Sequence, residues 1–152
     1  MYSMLHKKTT IVSILNILKQ YTDENHRLSQ KEIAEILERE YGMRVDRKAI
    51  KRNLSILIDA GYDIECSQTT RMIKNKDGSL TESTILSDFY LEREFTDAEL
   101  RLLIDSLLFS KHIPHSQCKE LINKIEGLSS RYFRSSMRHV CSMPENTPKN
   151  GE

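Results

Sequence analysis

Tryptophan is absent from this chain, and aromatic residues make up only 7% of it. Five glycines and three prolines are scattered, and neither GxGxxG nor GxxxxGK[ST] occurs. A Gly-rich loop that cradles nucleotide phosphates is therefore excluded. The three cysteines, Cys66, Cys118 and Cys141, lie far apart with no CxxC, which excludes a zinc ribbon and a thioredoxin-like pair. No apolar run exceeds four residues, against the roughly 20 that a membrane-crossing helix requires. Lys7 and Lys8 do precede an apolar stretch, but Asn16, Lys19 and Gln20 break it at helical spacing and no small-residue cleavage site follows. We read an amphipathic helix there, and expect a cytoplasmic protein with no membrane partner.

Catalytic constellations are equally scarce. No GxSxG-like nucleophile motif is present. Aspartates and glutamates are spread over helix starts and polar faces, where the helix dipole and solubility account for them. His112, His115 and Cys118 are spaced three apart around Pro114, but a structural zinc site needs a fourth ligand. The plainer reading is a loop and a first helical turn with Cys118 as a small core residue. The expectation is a protein that is not an enzyme and uses no cofactor or metal.

What the sequence does have is unevenly placed positive charge. Net charge is only +1 over 152 residues, yet residues 1–61 hold 11 basic and 8 acidic side chains, residues 62–95 hold 4 and 7, and residues 96–152 hold 8 and 7. The excess concentrates in one segment, where Arg47, Lys48, Lys51 and Arg52 follow Arg44. Such clustering is the footprint of a polyanionic ligand.

That segment belongs to a run of three predicted helices. Ile11, Ile14, Leu15 and Leu18 recur at helical spacing from about His6 to Tyr21. Ser29 opens a second helix, with Glu32 three residues on as its capping-box partner; Ile33, Ile36 and Leu37 form its stripe, and Gly42 is placed to end it. Asp46 caps a third helix in which Ile50, Leu54, Leu57 and Ile58 share one face. Arg47, Lys51 and Ser55 form a row elsewhere on it, with Lys48 and Arg52 beside them. The period then changes. Tyr62–Cys66 and Arg71–Lys74 have strand character, Asp77-Gly78 marks a turn, and Thr84–Leu91 reads as a returning strand, giving a hairpin with a long polar tip. Thr96 and Glu99 form a second capping box before a helix with Leu100, Leu103, Ile104, Leu107 and Leu108 on one side. Beyond Pro114 a last helix carries Cys118, Leu121, Ile122, Ile125 and Leu128, followed by Tyr132 and Phe133. Residues 143–152 have the composition of a linker.

The expected fold is therefore α+β and mostly helical. It comprises a winged helix-turn-helix domain at 1–92, a helical linking and dimerisation segment at 93–142, and a linker tail at 143–152. In that plan the third helix, about 46–60, enters the major groove of duplex DNA and the wing, about 62–91, lies on the backbone. Arg47, Lys48, Lys51, Arg52 and Ser55 should face the groove, while Arg44, Gln30, Lys31 and the wing residues Arg71, Lys74 and Lys76 should face phosphates. The wing cations read equally well as ordinary loop charges. The expected function is sequence-specific binding of double-stranded DNA in transcriptional control; the alternative is a winged-helix protein–protein interaction module whose basic helix is merely solvated. The leucine-rich helices of 95–140 exceed what the first domain needs for its own core, so a homodimer through them is expected.

Three stretches, RLSQKEIAEILEREYGMRVDRKAIKRNLSILIDAGYDIE, FYLEREFTDAELRLLIDSLLFSKHI and CKELINKIEGLSSRY, resemble the N-terminal part of bacterial WYL-domain transcriptional regulators. The resemblance covers roughly residues 5–143, with RKAIKRNL and FTDAELRLLIDSL its most specific parts. It implies a DNA-binding winged helix, a linking helical segment that supports dimerisation, and a C-terminal ligand-sensing domain. Two positions depart from the family pattern. Ala49 stands where Thr or Ser is frequent, removing a phosphate-binding hydroxyl, and Lys51 stands where an aromatic is common, making that contact electrostatic. No Trp-Tyr-Leu triplet exists and nothing sheet-like follows Met143, so a shortened chain without an effector site is expected.

Overall fold

The computed structural model describes residues 2–134, with side chains from Lys8 onward. The expected tail at 143–152, Cys141, and the last part of the linking segment lie outside the described residues. The chain divides into two compact units, Met1–Glu94 and Phe95–Glu152. Together they form an α+β chain, mostly helical, whose one sheet among the described residues is a two-stranded antiparallel hairpin.

The first unit holds α1 (Tyr2–Tyr21), α2 (Gln30–Tyr41), α3 (Arg47–Asp59), β1 (Ile64–Lys74) and β2 (Leu80–Leu91). Local chemistry sets the helix ends. The Ser29 hydroxyl accepts the Glu32 N–H and the Glu32 carboxylate accepts the Ser29 N–H, closing two donors left open by the first turn. Gly42 ends α2 at φ +63°, a conformation costly for a residue with a Cβ. The Asp46 carboxylate accepts the Ala49 N–H at 2.7 Å and starts α3. The three helices then bury one stripe each in a common core: Ile14, Ile17 and Leu18 from α1, Ile33, Ile36 and Leu37 from α2, and Ile50, Leu54 and Leu57 from α3. Each such side chain removed from water contributes roughly 1.5–3 kcal/mol, which outweighs the few tenths that propensity or surface pairs supply.

One expected core residue is not there. Ile58 is 40% exposed. At about 100° per residue it sits roughly 70° from the centre of the Ile50–Leu54–Leu57 stripe, at the edge of the buried face in the last turn.

The hairpin is longer than its sequence pattern suggests. β1 and β2 stay in register from Ser67↔Ser87 out to Lys74↔Leu80, leaving a five-residue turn, 75–79. Asn75 and Ser79 close it through backbone and side chain, Asp77 accepts from the Ser79 N–H and hydroxyl, and Gly78 takes φ +86°. Near its base the ladder shifts between Glu65 and Ser67, so that Asp88 and Phe89 oppose Cys66. Asp88 adopts φ +55° in this bulge. The displaced Phe89 backbone exchanges hydrogen bonds with Leu28, at 2.7 and 2.9 Å, while its ring enters the core. The buried Thr22 hydroxyl donates to the Leu18 carbonyl at 2.5 Å and accepts the Leu91 N–H at 3.0 Å. Arg93 donates to the Lys19 and Thr22 carbonyls at the end of α1, where a cation also complements the helix dipole.

The second unit pairs α4 (Asp97–Leu108) with α5 (His115–Glu126). Thr96 and Glu99 form the expected reciprocal cap, and Pro114 stands at the start of α5. Its core is Leu100, Ile104, Cys118, Ile122 and Phe133, with Leu107, Ile113 and Ile125 partly buried. Leu103 and Leu108, expected on the same side of α4, are exposed, as are Leu121, Leu128 and Tyr132. The five apolar positions of α4 span roughly 140° of its circumference, which is wider than a single packed partner helix covers.

Candidate nucleic-acid interface

Burial of Ile50, Leu54 and Leu57 fixes how α3 is rotated. The outward meridian, opposite the centre of that stripe, passes between Lys48 and Arg52. Ser55 lies about 50° to one side of it and Ile56 about 50° to the other. Lys51 is farther round, at about 90°, and Arg47 lies nearer the core edge. Arg47, Lys48, Lys51, Arg52 and Ser55 are all exposed, with the Ser55 hydroxyl turned back to the Lys51 carbonyl at 3.0 Å. Among the described residues none of the four cations forms an ion pair; the pairs nearest in sequence are Arg44–Glu38 and Arg39–Glu40.

This arrangement works against the helix that carries it. The N-terminal end of a helix is its positive end, where acidic residues are favourable and cations are not. Yet the first turn of α3 has no acidic side chain, only the preceding Asp46 cap. Arg47–Lys51 and Lys48–Arg52 are like-charge i,i+4 pairs, and Lys48–Lys51 is a like-charge i,i+3 pair, each costing roughly 0.2–0.5 kcal/mol. Neither folding nor packing explains so much charge of one sign at that end. Cations so placed are able to neutralise the phosphates of a polyanion and release its condensed counterions.

The other anticipated contact residues divide. Lys31 is exposed on α2. Arg44 is exposed and shares its charge with Glu38 at 3.2 Å. Gln30 is half-buried, and its amide donates to the Leu86 carbonyl at 3.4 Å, so its side chain ties α2 to the hairpin. Arg71, Lys74 and Lys76 do not share one surface. Alternation from Ile64 places Lys74 on the side that continues from the core, with Thr70, Met72, Thr84, Glu82 and Leu80. Arg71 lies on the opposite side with Ser83, Thr69 and Thr81, and Lys76 is in the turn. A flat ligand surface meets Arg71 or Lys74, not both.

Sequence reasoning passed over Ile56. Its i+4 relation to Arg52 is the signal that places it in the Lys48–Arg52 row. Elsewhere, Cys118 is buried and its thiol donates to the Leu107 carbonyl at 3.3 Å, and among the described residues no three His, Cys, Asp or Glu side chains converge as metal ligands. Burial, and then the neighbouring Glu65 charge, push the Cys66 thiol up from its ordinary pKa. No described helix is long and apolar enough to cross a membrane.

No family model, no curated protein and no solved structure matches this chain.

Proposed function

We propose that this chain is a sequence-specific duplex-DNA-binding transcriptional regulator, with the first unit a winged helix-turn-helix and the chain related to the N-terminal part of the WYL-domain regulators. In this reading α3 enters the major groove, and Lys48, Arg52, Ser55 and Lys51 face base edges and the flanking phosphates. Arg47, Arg44 and Lys31 neutralise backbone, and the hairpin lies along it as the wing. The protein works by binding, without catalysis or cofactor, in the cytoplasm. The observation that carries the reading is the outward cation row of α3, free of ion pairs among the described residues and set toward the helix end where the dipole disfavours it.

Residues 95–140 serve as the homodimer contact in this reading, supported by the exposed Leu103, Leu108, Leu121 and Leu128. Two copies would read two related half-sites. The test is selection of bound duplexes from a random pool. Recovery of a two-fold symmetric motif is the expected result. A pool that stays random after repeated selection would move the assignment to a protein-binding module with a solvated basic helix.

A further inference from the structure

Ile56 is 47% exposed, although α3 has a well-formed apolar face to bury it against. It lies closer to the outward meridian than Lys51 does, one turn beyond Arg52 and directly after Ser55. A β-branched apolar residue there adds nothing to the core and is a weaker helix former than alanine. On that surface Arg52 lies one turn back and Lys48 two turns back, with Asp59 one turn on at the far end.

The apolar group that base edges present in the major groove is the C5-methyl of thymine. Resting on the duplex-DNA reading above, we infer that Ile56 is a specificity-determining residue that packs against a thymine methyl in the site bound by α3. Lys48 and Arg52 lie about 12 and 6 Å from it along the helix axis. Cationic contacts and the methyl contact therefore fall within about three to four base pairs. Asp59, one turn farther on, repels backbone and confines the reading to the stretch up to Ile56. The site then prefers thymine at one position per α3, even with no hydrogen bond to that base.

The test uses the full chain and a duplex selected by it from a random pool, with each thymine replaced singly by deoxyuridine, which lacks only the methyl. Wild-type protein is expected to lose about fourfold in affinity at one thymine per half-site, the worth of one buried methyl. Ile56→Ala is expected to bind the thymine duplex about as weakly and to be indifferent to the replacement, whereas Ile56→Val keeps the preference. Circular dichroism establishes that the variants are folded, and the exposure of Ile56 makes disruption of α3 unexpected. Uniform indifference of the wild type to deoxyuridine overturns the inference while leaving DNA binding standing. So does an Ile56→Ala protein that retains the full thymine preference. If the wild type selects no duplex at all, the DNA reading falls and this inference falls with it.

Discussion

Asp46 joins the fold to the interface, so its replacement separates two effects that are otherwise entangled. Its carboxylate accepts the Ala49 N–H at 2.7 Å, satisfying one of the open donors at the start of α3. Asp46→Ala removes that acceptor and should cost about 1 kcal/mol, within the usual 0.5–2 range for lost caps. For a unit of the size of Met1–Glu94, that corresponds to a melting point lower by about 4–8 °C. Asp46→Ser keeps a capping oxygen and should stay within about 0.5 kcal/mol of wild type, apart from a small loss of charge–dipole interaction. Urea titrations of the three proteins, with unchanged slope, give the comparison directly. An alanine variant as stable as wild type would refute the capping argument, and so would a serine variant as damaged as the alanine one. In DNA binding the order should differ: Asp46→Ser removes a negative charge beside the cation row and should bind at least as tightly as wild type.

Further predictions cover packing and titration. Leu54→Ala should destabilise the first unit by about 3–5 kcal/mol, whereas Ile58→Ala, at the exposed edge of the same helix, should cost about 1 kcal/mol or less; equal losses in denaturation would show that the rotation of α3 is misassigned. Glu99 accepts from Thr96, whose backbone N–H and then hydroxyl hold its carboxyl below the usual glutamate range. Because that folded-state pKa is depressed, the cap contributes fully above the ordinary value and is lost as pH falls through the folded one. Carboxyl NMR should therefore place the Glu99 midpoint below the ordinary glutamate range, and Thr96→Ala, which removes the hydroxyl but keeps the backbone N–H, should raise it only part of the way back. Cys66, its thiol raised by burial and by Glu65, should alkylate more slowly at neutral pH than in the unfolded chain, and Glu65→Gln should speed it; labelling at the unfolded rate would contradict the half-buried placement.

Much of this fold is written locally. Ser29 with Glu32, Thr96 with Glu99, Asp46 and Gly42 each signal a helix end through short-range chemistry, and each acts as that chemistry dictates. The stripes of α2 and, Ile58 apart, of α3 follow from periodicity. The hairpin was harder to read. Beyond Cys66 both its faces are largely exposed, so the apolar/polar alternation that marks a half-buried strand is missing. Its β-branched threonines pair because the opposing strand is there, not because a core draws them in. The Asp88 bulge depends on residues about twenty apart in sequence and the Leu28–Phe89 bridge on residues about sixty apart, and no local pattern signals either. For the interface, charge clustering singles out α3. Only burial of Ile50, Leu54 and Leu57 shows that Lys48 and Arg52 flank the outward meridian, and only strand register separates Arg71 from Lys74. Which leucines of α4 and α5 stay exposed is not legible in sequence, because a continuous apolar stripe does not say how much of it one neighbouring helix covers.

The most direct test of the central claim is the salt dependence of binding to duplex DNA. Each phosphate neutralised contributes about −0.9 to the slope of log affinity against log salt. The free cations of α3 predict a slope of several units for the wild type, and the pair Lys51→Ala with Arg52→Ala should lower its magnitude by about 1.8 while leaving the unit folded. A wild-type slope near zero, or one that the double replacement leaves untouched, would contradict it.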